Sequence, residues 1–218
     1  MITLYGVLRS RASRNVWLCH EAGIEFRLVP VIQAYRLADP AAQDAPLHTR
    51  HPDFLKVNPN GHVPTMVDGE LVLHESLAIN LYLAKRYAGA LGPRDIAEDG
   101  QIGMWALWAA AEAEPHTINI LYHRVAKPPE ERDPAVADAA VAALRSPFAA
   151  LDAALAGGDW LVGNRFTVAD INVAEVIRYA QPAPELFAEA PSVARWLAAC
   201  QARPAFRRMM AEREQEPA

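Results

Sequence analysis

Cysteine is scarce in this 218-residue chain. Its two copies, Cys19 and Cys200, are too few for a disulfide framework, and both fall in stretches of helical periodicity. They read as small buried hydrophobes in a reducing, cytosolic setting. Positive charge is not in excess either: 21 Lys and Arg stand against 26 Asp and Glu, a net charge of −5. That leaves no basic footprint for nucleic acid. No apolar run approaches the ~20 residues of a membrane span. The opening Met1-Ile2-Thr3-Leu4-Tyr5 looks like a first strand and lacks the pattern of a secretion signal. At 52% hydrophobic and 22% charged, the composition is that of one or two packed domains rather than a disordered chain.

What is present begins with local structure signals. Ile2 to Val7 alternates as a first strand, Ala12, Val16 and Cys19 share one helical face closed by Gly23, and Glu25 to Ile32 reads as a second strand. A strand, helix and strand in that order imply a right-handed crossover and parallel pairing. Asp68-Gly69 between Thr65-Met66-Val67 and Leu71-Val72-Leu73 predicts a two-residue hairpin. Pro64 sits just before it, where the ladder can spare a donor. Ser76 then reads as the N-cap of a helix running to Tyr87. The stretch from Gln33 to Lys56, with Pro40, Pro46 and Pro52, reads as an extended solvated loop with a short helical piece. His48 and His51 within it lack a third partner for a metal. Gly89 to Pro93 reads as a linker.

Beyond the linker every pattern is helical. Ile102 to Arg124 predicts one long helix, kinked or split at Pro115. Asp133-Pro134 opens another, with Val136, Ala140, Leu144, Phe148, Leu151 and Leu155 as its core stripe, and Gly157-Gly158 stops it. Thr167-Val168-Ala169-Asp170 has capping-box spacing. Pro191 and Pro204 open two further helices, and the polar segment from Glu212 to Ala218 reads as frayed.

The run Asn58-Pro59-Asn60-Gly61-His62-Val63-Pro64, a hairpin and then Glu75-Ser76 resembles the glutathione transferase superfamily. So does Phe166-Thr167-Val168-Ala169-Asp170, which in that family caps a core helix. The resemblance implies a thioredoxin-like α/β domain over residues 1–88 and an all-helical domain over residues 94–218. It implies that Val63, before a cis Pro64, holds the cysteinyl part of glutathione by its main chain. Glu75 and Ser76 would hold the γ-glutamyl end, at a helix start that attracts a carboxylate. His62 stands where relatives often have Lys or Gln reaching the glycyl carboxylate; a neutral imidazole offers a hydrogen bond instead.

A nucleophilic thiol must be held as thiolate, and a hydroxyl donor near a helix start does this. Ser10-Arg11-Ala12-Ser13-Arg14 matches the Ser-x-x-Ser-Arg run of serine-type, theta-like members. Ser10 is the candidate thiolate stabiliser, Ser13 the alternative or a helix N-cap, and Arg11 a source of positive charge. Tyr5 lies too early to be a catalytic tyrosine of that family, and no cysteine occupies the loop. The electrophile, a small hydrophobic molecule, is expected between the domains against Trp105, Trp108, Glu112 and His116. The resemblance further implies a cytoplasmic homodimeric detoxification enzyme, with glutathione as co-substrate, no other cofactor and no metal. Two other readings stay open: a glutathione-dependent isomerase, for which the loop lacks the Ser-Ser-Cys pattern, and a non-catalytic glutathione-binding scaffold.

Overall fold

A computed structural model of the chain describes residues 1–216. Two compact units emerge: Met1–Gly89 together with the segment from Pro204 onward, and Ala90–Arg203.

The first unit is built on a four-stranded sheet of order β2-β1-β3-β4. β1 (Ile2–Tyr5), α1 (Ala12–Ala22) and β2 (Phe26–Val29) form the expected crossover, with Ile2 opposite Phe26 in parallel register. A 3-10 turn at Ala34–Arg36 and α2 (Pro52–Val57) follow. β3 (Thr65–Asp68) pairs antiparallel with both β1 and β4 (Leu71–His74). α3 (Ser76–Tyr87) completes the half. Period-2 alternation buries Ile2 and Leu4 on one face of β1, while Tyr5, on the other, meets the ring of Phe54 in α2 at 6.1 Å. Cys19 is buried in α1, and burial pushes its thiol up to about 12, which makes it inert.

The second unit is helical. α4 (Ile96–Trp108) starts earlier than its apolar pattern suggests, because Asp95 accepts hydrogen bonds from the Ala97 and Glu98 amides as N-cap. The predicted break at Pro115 takes the form of a π turn at Ala109–Ala113 before α5 (Glu114–Leu121). Pro115 has no N–H to give, and a wider turn before it accommodates the loss. A second π turn spans Tyr122–Ala126. α6 (Pro134–Leu155) is capped by Asp133 as the sequence implies. α7 (Val168–Ile177) is buried on every side rather than along one stripe. α8 (Pro184–Glu189) and α9 (Pro191–Gln201) close the unit. The 89–93 segment is tied in, since Arg165 donates to the Ala90 and Gly92 carbonyls and the Val168 amide to Leu91.

The last helix departs most from expectation. α10 (Pro204–Gln215) belongs with the first unit, not with the helices between Ala90 and Arg203. Phe206 meets Trp17 of α1 edge-on at 5.0 Å, and Met209 is fully buried. Glu212 accepts from His20 at 2.8 Å, so the described part of the polar terminal segment is anchored rather than frayed. Residues 217 and 218 of that segment lie outside the described residues.

Two stability predictions follow from these anchors. Asp170 is fully buried and accepts from the Thr167 and Leu161 amides and from Trp196 Nε1 at 2.8–3.1 Å, completing the capping box. Burial raises its carboxyl above the usual range, against the pull of those donors. Asp170→Ala orphans them and is expected to cost about 3 kcal/mol in denaturant unfolding. Burial also pushes the Glu212 carboxyl up, but hydrogen bonds and charge from His20 and Arg208 outweigh it and hold the carboxyl below its usual value. Its stabilisation is therefore present above the ordinary glutamate value of about 4.3 and is lost as pH falls from there through the lowered value of the folded state. The Tm difference between wild type and Glu212→Gln should shrink on acidification from about pH 6 to about pH 3.

Candidate functional site

Three chain segments meet in the first unit: the turn after β1, the corner before β3 and the start of α3. The turn is local. The Ser10 amide donates to the Val7 carbonyl at 3.0 Å, and the Ser10 hydroxyl donates to the same oxygen at 2.6 Å. Ser10 Oγ in turn accepts from the Ala12 amide at 3.1 Å. The hydroxyl thus holds the entry to α1 from two residues before the helix. Ser13, read above as a possible N-cap, lies inside α1 and is fully buried, while Arg11 occupies the N-cap position and is exposed.

Gly6 brings the turn to the corner. Its φ is +150°, and a Cβ built on it would lie 2.8 Å from Ala12 Cβ, 3.5 Å from Val63 Cβ and 3.7 Å from Ser10 Oγ. Serine and valine therefore flank one bare stretch of backbone. The Val63–Pro64 peptide is cis. Buried Asn58 holds the loop leading to it: its Nδ2 donates to the His62 carbonyl at 3.1 Å and to Thr65 Oγ1 at 2.9 Å, and its Oδ1 accepts from the Asn60 amide. Among the described residues, neither the amide nor the carbonyl of Val63 has a hydrogen-bond partner. The His62 imidazole is exposed.

At α3 the sequence reading needs correction. Ser76 is the first helical residue, not the N-cap; Glu75 occupies that place with φ 70° and caps nothing with its side chain. Such a backbone costs a non-glycine residue roughly 1–3 kcal/mol and is over-represented at functional sites. The Ser76 hydroxyl is engaged from behind: buried Arg14 donates to it at 3.0 Å, Asn15 donates to the Ser76 carbonyl at 2.8 Å and to Asn80 Oδ1 at 2.7 Å, and Asn80 returns a bond to the Arg14 carbonyl. The helix start thus has no side-chain cap from Glu75 and is backed by a buried guanidinium, a setting for an anion.

The residues assigned to the electrophile lie in the second unit. Trp105 and Trp108 are half-buried on α4 with rings edge-to-face at 5.3 Å. Glu112 is exposed in the π turn and His116 is half-buried in α5. Tyr5 packs structurally, as expected. His48 is buried rather than solvated: its Nδ1 accepts from the Arg50 amide, as His51 Nδ1 does from Asp53 at the start of α2. Among the described residues no group of three or more His, Cys, Asp or Glu could hold a metal, and no helix is long and apolar enough to cross a membrane. Sequence reasoning includes Asn58 in the motif without giving it a role, and does not single out Gly6, Asn15 or Asn80. The one available signal is positional, since they neighbour or alternate with motif residues.

A thioredoxin-like four-stranded sheet, a cis-proline corner before β3 and a helix start at a positive-φ residue together define the class of fold to which the first unit belongs. Residues 10–86 match the glutathione S-transferase N-terminal domain, and residues 116–204 the glutathione S-transferase C-terminal domain. Glutathione S-transferase 3 of Zea mays is 31% identical over 219 residues, 96% of this chain and 93% of that protein. Glutathione S-transferase GstB of Escherichia coli K12 is 37% identical over 161 residues, 72% of this chain and 77% of that one. A theta class glutathione S-transferase from Xanthomonas axonopodis pv. citri, solved with glutathione bound, matches with a TM-score of 0.80 at 32% identity over 95% of each chain. The chain belongs to the glutathione S-transferase superfamily and is a glutathione S-transferase.

Gly6 is the tightest point of this arrangement. Gly6→Ala forces a Cβ into Ala12 and displaces the serine turn. The variant is expected to lose about 2 kcal/mol of stability and most of its conjugating activity, read by thermal melts and initial rates.

Proposed function

We propose that this enzyme is a serine-type glutathione transferase in which Ser10 keeps the glutathione sulfur anionic for attack on a small hydrophobic electrophile. The observation that carries the reading is the meeting of Ser10 Oγ and Val63 at Gly6. An alcohol and a corner whose main-chain amide and carbonyl have no partner among the described residues thus lie on either side of Gly6. An extended peptide adds there as a further strand would, with Val63 pairing the cysteinyl residue. The γ-glutamyl carboxylate goes to the amides at the start of α3, with Arg14 behind Ser76, and Glu75 meets the γ-glutamyl ammonium. His62, exposed on the preceding loop, donates to the glycyl carboxylate.

The hydroxyl is suited to the task. Val7 O accepts from both the Ser10 amide and the Ser10 hydroxyl, so it keeps one donor when the hydroxyl proton turns to a sulfur. The bond from the Ala12 amide draws electron density from Oγ and strengthens it as a donor. Arg11 and the start of α1 add positive potential. The thiolate then attacks the electrophile and forms the carbon–sulfur bond; in a substitution the leaving group departs with the electron pair of its broken bond to carbon, and in an addition the resulting anion takes up a proton from water. Burial of Ser13 favours Ser10 over it.

We assign electrophile recognition to Trp105, Trp108, Glu112 and His116, with glutathione as co-substrate and no further cofactor. Two buried free cysteines fit a reducing cytoplasm, and a homodimer is the assembly we expect.

Ser10→Ala should raise the thiol pKa of bound glutathione and lower kcat roughly 10²-fold, while glutathione still binds. Ultraviolet titration of the thiolate decides it: an unchanged band in the variant removes Ser10 from the mechanism.

A further inference from the structure

The turn that carries Ser10 is held from outside as well as from within. Glu216, one residue beyond α10, accepts from the Leu8 amide through Oε1 at 2.6 Å and from the Arg9 amide through Oε2 at 2.9 Å. Arg213 Nε donates to the Leu8 carbonyl at 3.2 Å. Leu8 and Arg9 are the two central residues of the turn whose ends are Val7 and Ser10, closed by the Ser10 amide on the Val7 carbonyl. Among the described residues no other group accepts from those two amides. Leu8 is buried, so its amide would otherwise be left without a partner, which is unfavourable for a buried donor.

The anchor is the last of a series on one face of α10. Phe206, Met209, Arg213 and Glu216 recur every three or four residues, the spacing of a single helical face. The first pair packs on or near α1, and the second pair grips the turn that feeds α1. Charge-assisted bonds from a carboxylate to backbone amides are among the stronger hydrogen bonds in proteins, and a bidentate pair fixes orientation as well as position.

We propose that Glu216 is a positioning residue for the thiolate-stabilising hydroxyl: by clamping the Leu8 and Arg9 amides it sets the aim of Ser10. This rests on the Ser10 reading above. Two effects of opposite sign are separable. As a clamp, the carboxylate keeps Ser10 on the sulfur and lowers the thiol pKa. As a bare negative charge near the sulfur, it would raise that pKa. The two amides already meet the carboxylate's charge, so the clamp dominates.

The test uses the full chain with Glu216→Ala, Ser10→Ala and the double variant. For each, thermal melting, the thiol pKa of bound glutathione from ultraviolet titration, and kcat and KM with an activated aryl halide are measured. Glu216→Ala is expected to raise the thiol pKa by about half a unit and to lower kcat about fivefold, with KM for glutathione within about twofold. Because Glu216 acts through Ser10, adding Glu216→Ala to Ser10→Ala should change kcat no further. Glu216→Gln keeps the size and one acceptor oxygen and should fall between wild type and Glu216→Ala, which guards against a simple loss of fold. An unchanged thiol pKa in Glu216→Ala, a lowered one with faster turnover, or an additive loss in the double variant would overturn the proposal. If Ser10→Ala leaves the thiol unchanged, the Ser10 reading itself falls; if only Glu216→Ala is silent, the clamp alone does.

Discussion

A buried polar knot of Arg14, Asn15, Ser76 and Asn80 fixes the distance between two helix starts, and the site depends on that distance. α1 begins beside the serine turn, and α3 begins at Glu75 and Ser76. In the function proposed above, one small tripeptide touches both. Burying a guanidinium and three polar side chains is unfavourable unless each finds partners. Here they find them across the two helices, at 2.7–3.2 Å. A purely apolar contact between α1 and α3 would pack as well but would tolerate sliding. Directional bonds do not, and a slide of 1 Å is enough to misplace a reacting sulfur.

The two units divide the labour. The first concentrates strain and open backbone: Glu75 at positive φ, Gly6 against Ala12, Val63 without partners for its amide and carbonyl. The second concentrates satisfaction. Asp170 gathers donors from its own cap, from Leu161 and from Trp196, and α7 around it is buried on all sides. Arg165 ties Glu98 and the carbonyls of the connecting segment into the same unit. A well-satisfied core of this kind can support neighbouring half-buried aromatics such as Trp105 and Trp108 without their being part of it.

Much of this was legible because it is local. Asp68-Gly69 makes a hairpin by the backbone freedom of two adjacent residues, and Asp133-Pro134 and Thr167 to Asp170 cap helices within one turn. Those elements stand where their sequence signals put them. The serines were harder to place. Ser13 and Ser76 both look like N-caps by position, yet Ser13 turns inward and Ser76 accepts from Arg14, 62 residues away. Nothing in a window of a few residues announces that exchange. The π turns are similar: Pro115 signals a break, but whether the helix kinks, splits or widens depends on what packs around it. Glu216 was least legible of all, because a polar residue near a chain terminus ordinarily reads as solvated and only tertiary contact shows its partners, 207 and 208 positions earlier.

That α10 packs on α1 while the helices from Ala90 to Arg203 form a unit of their own has a consequence for biosynthesis. The helical unit is continuous in sequence, so every piece of it has been made before α10 is translated. The sheet-bearing unit is discontinuous: its strands and α1 are made before the helical unit, and α10, which covers α1, only after it. That half of the protein therefore stays without one of its walls until the ribosome has passed Gln215.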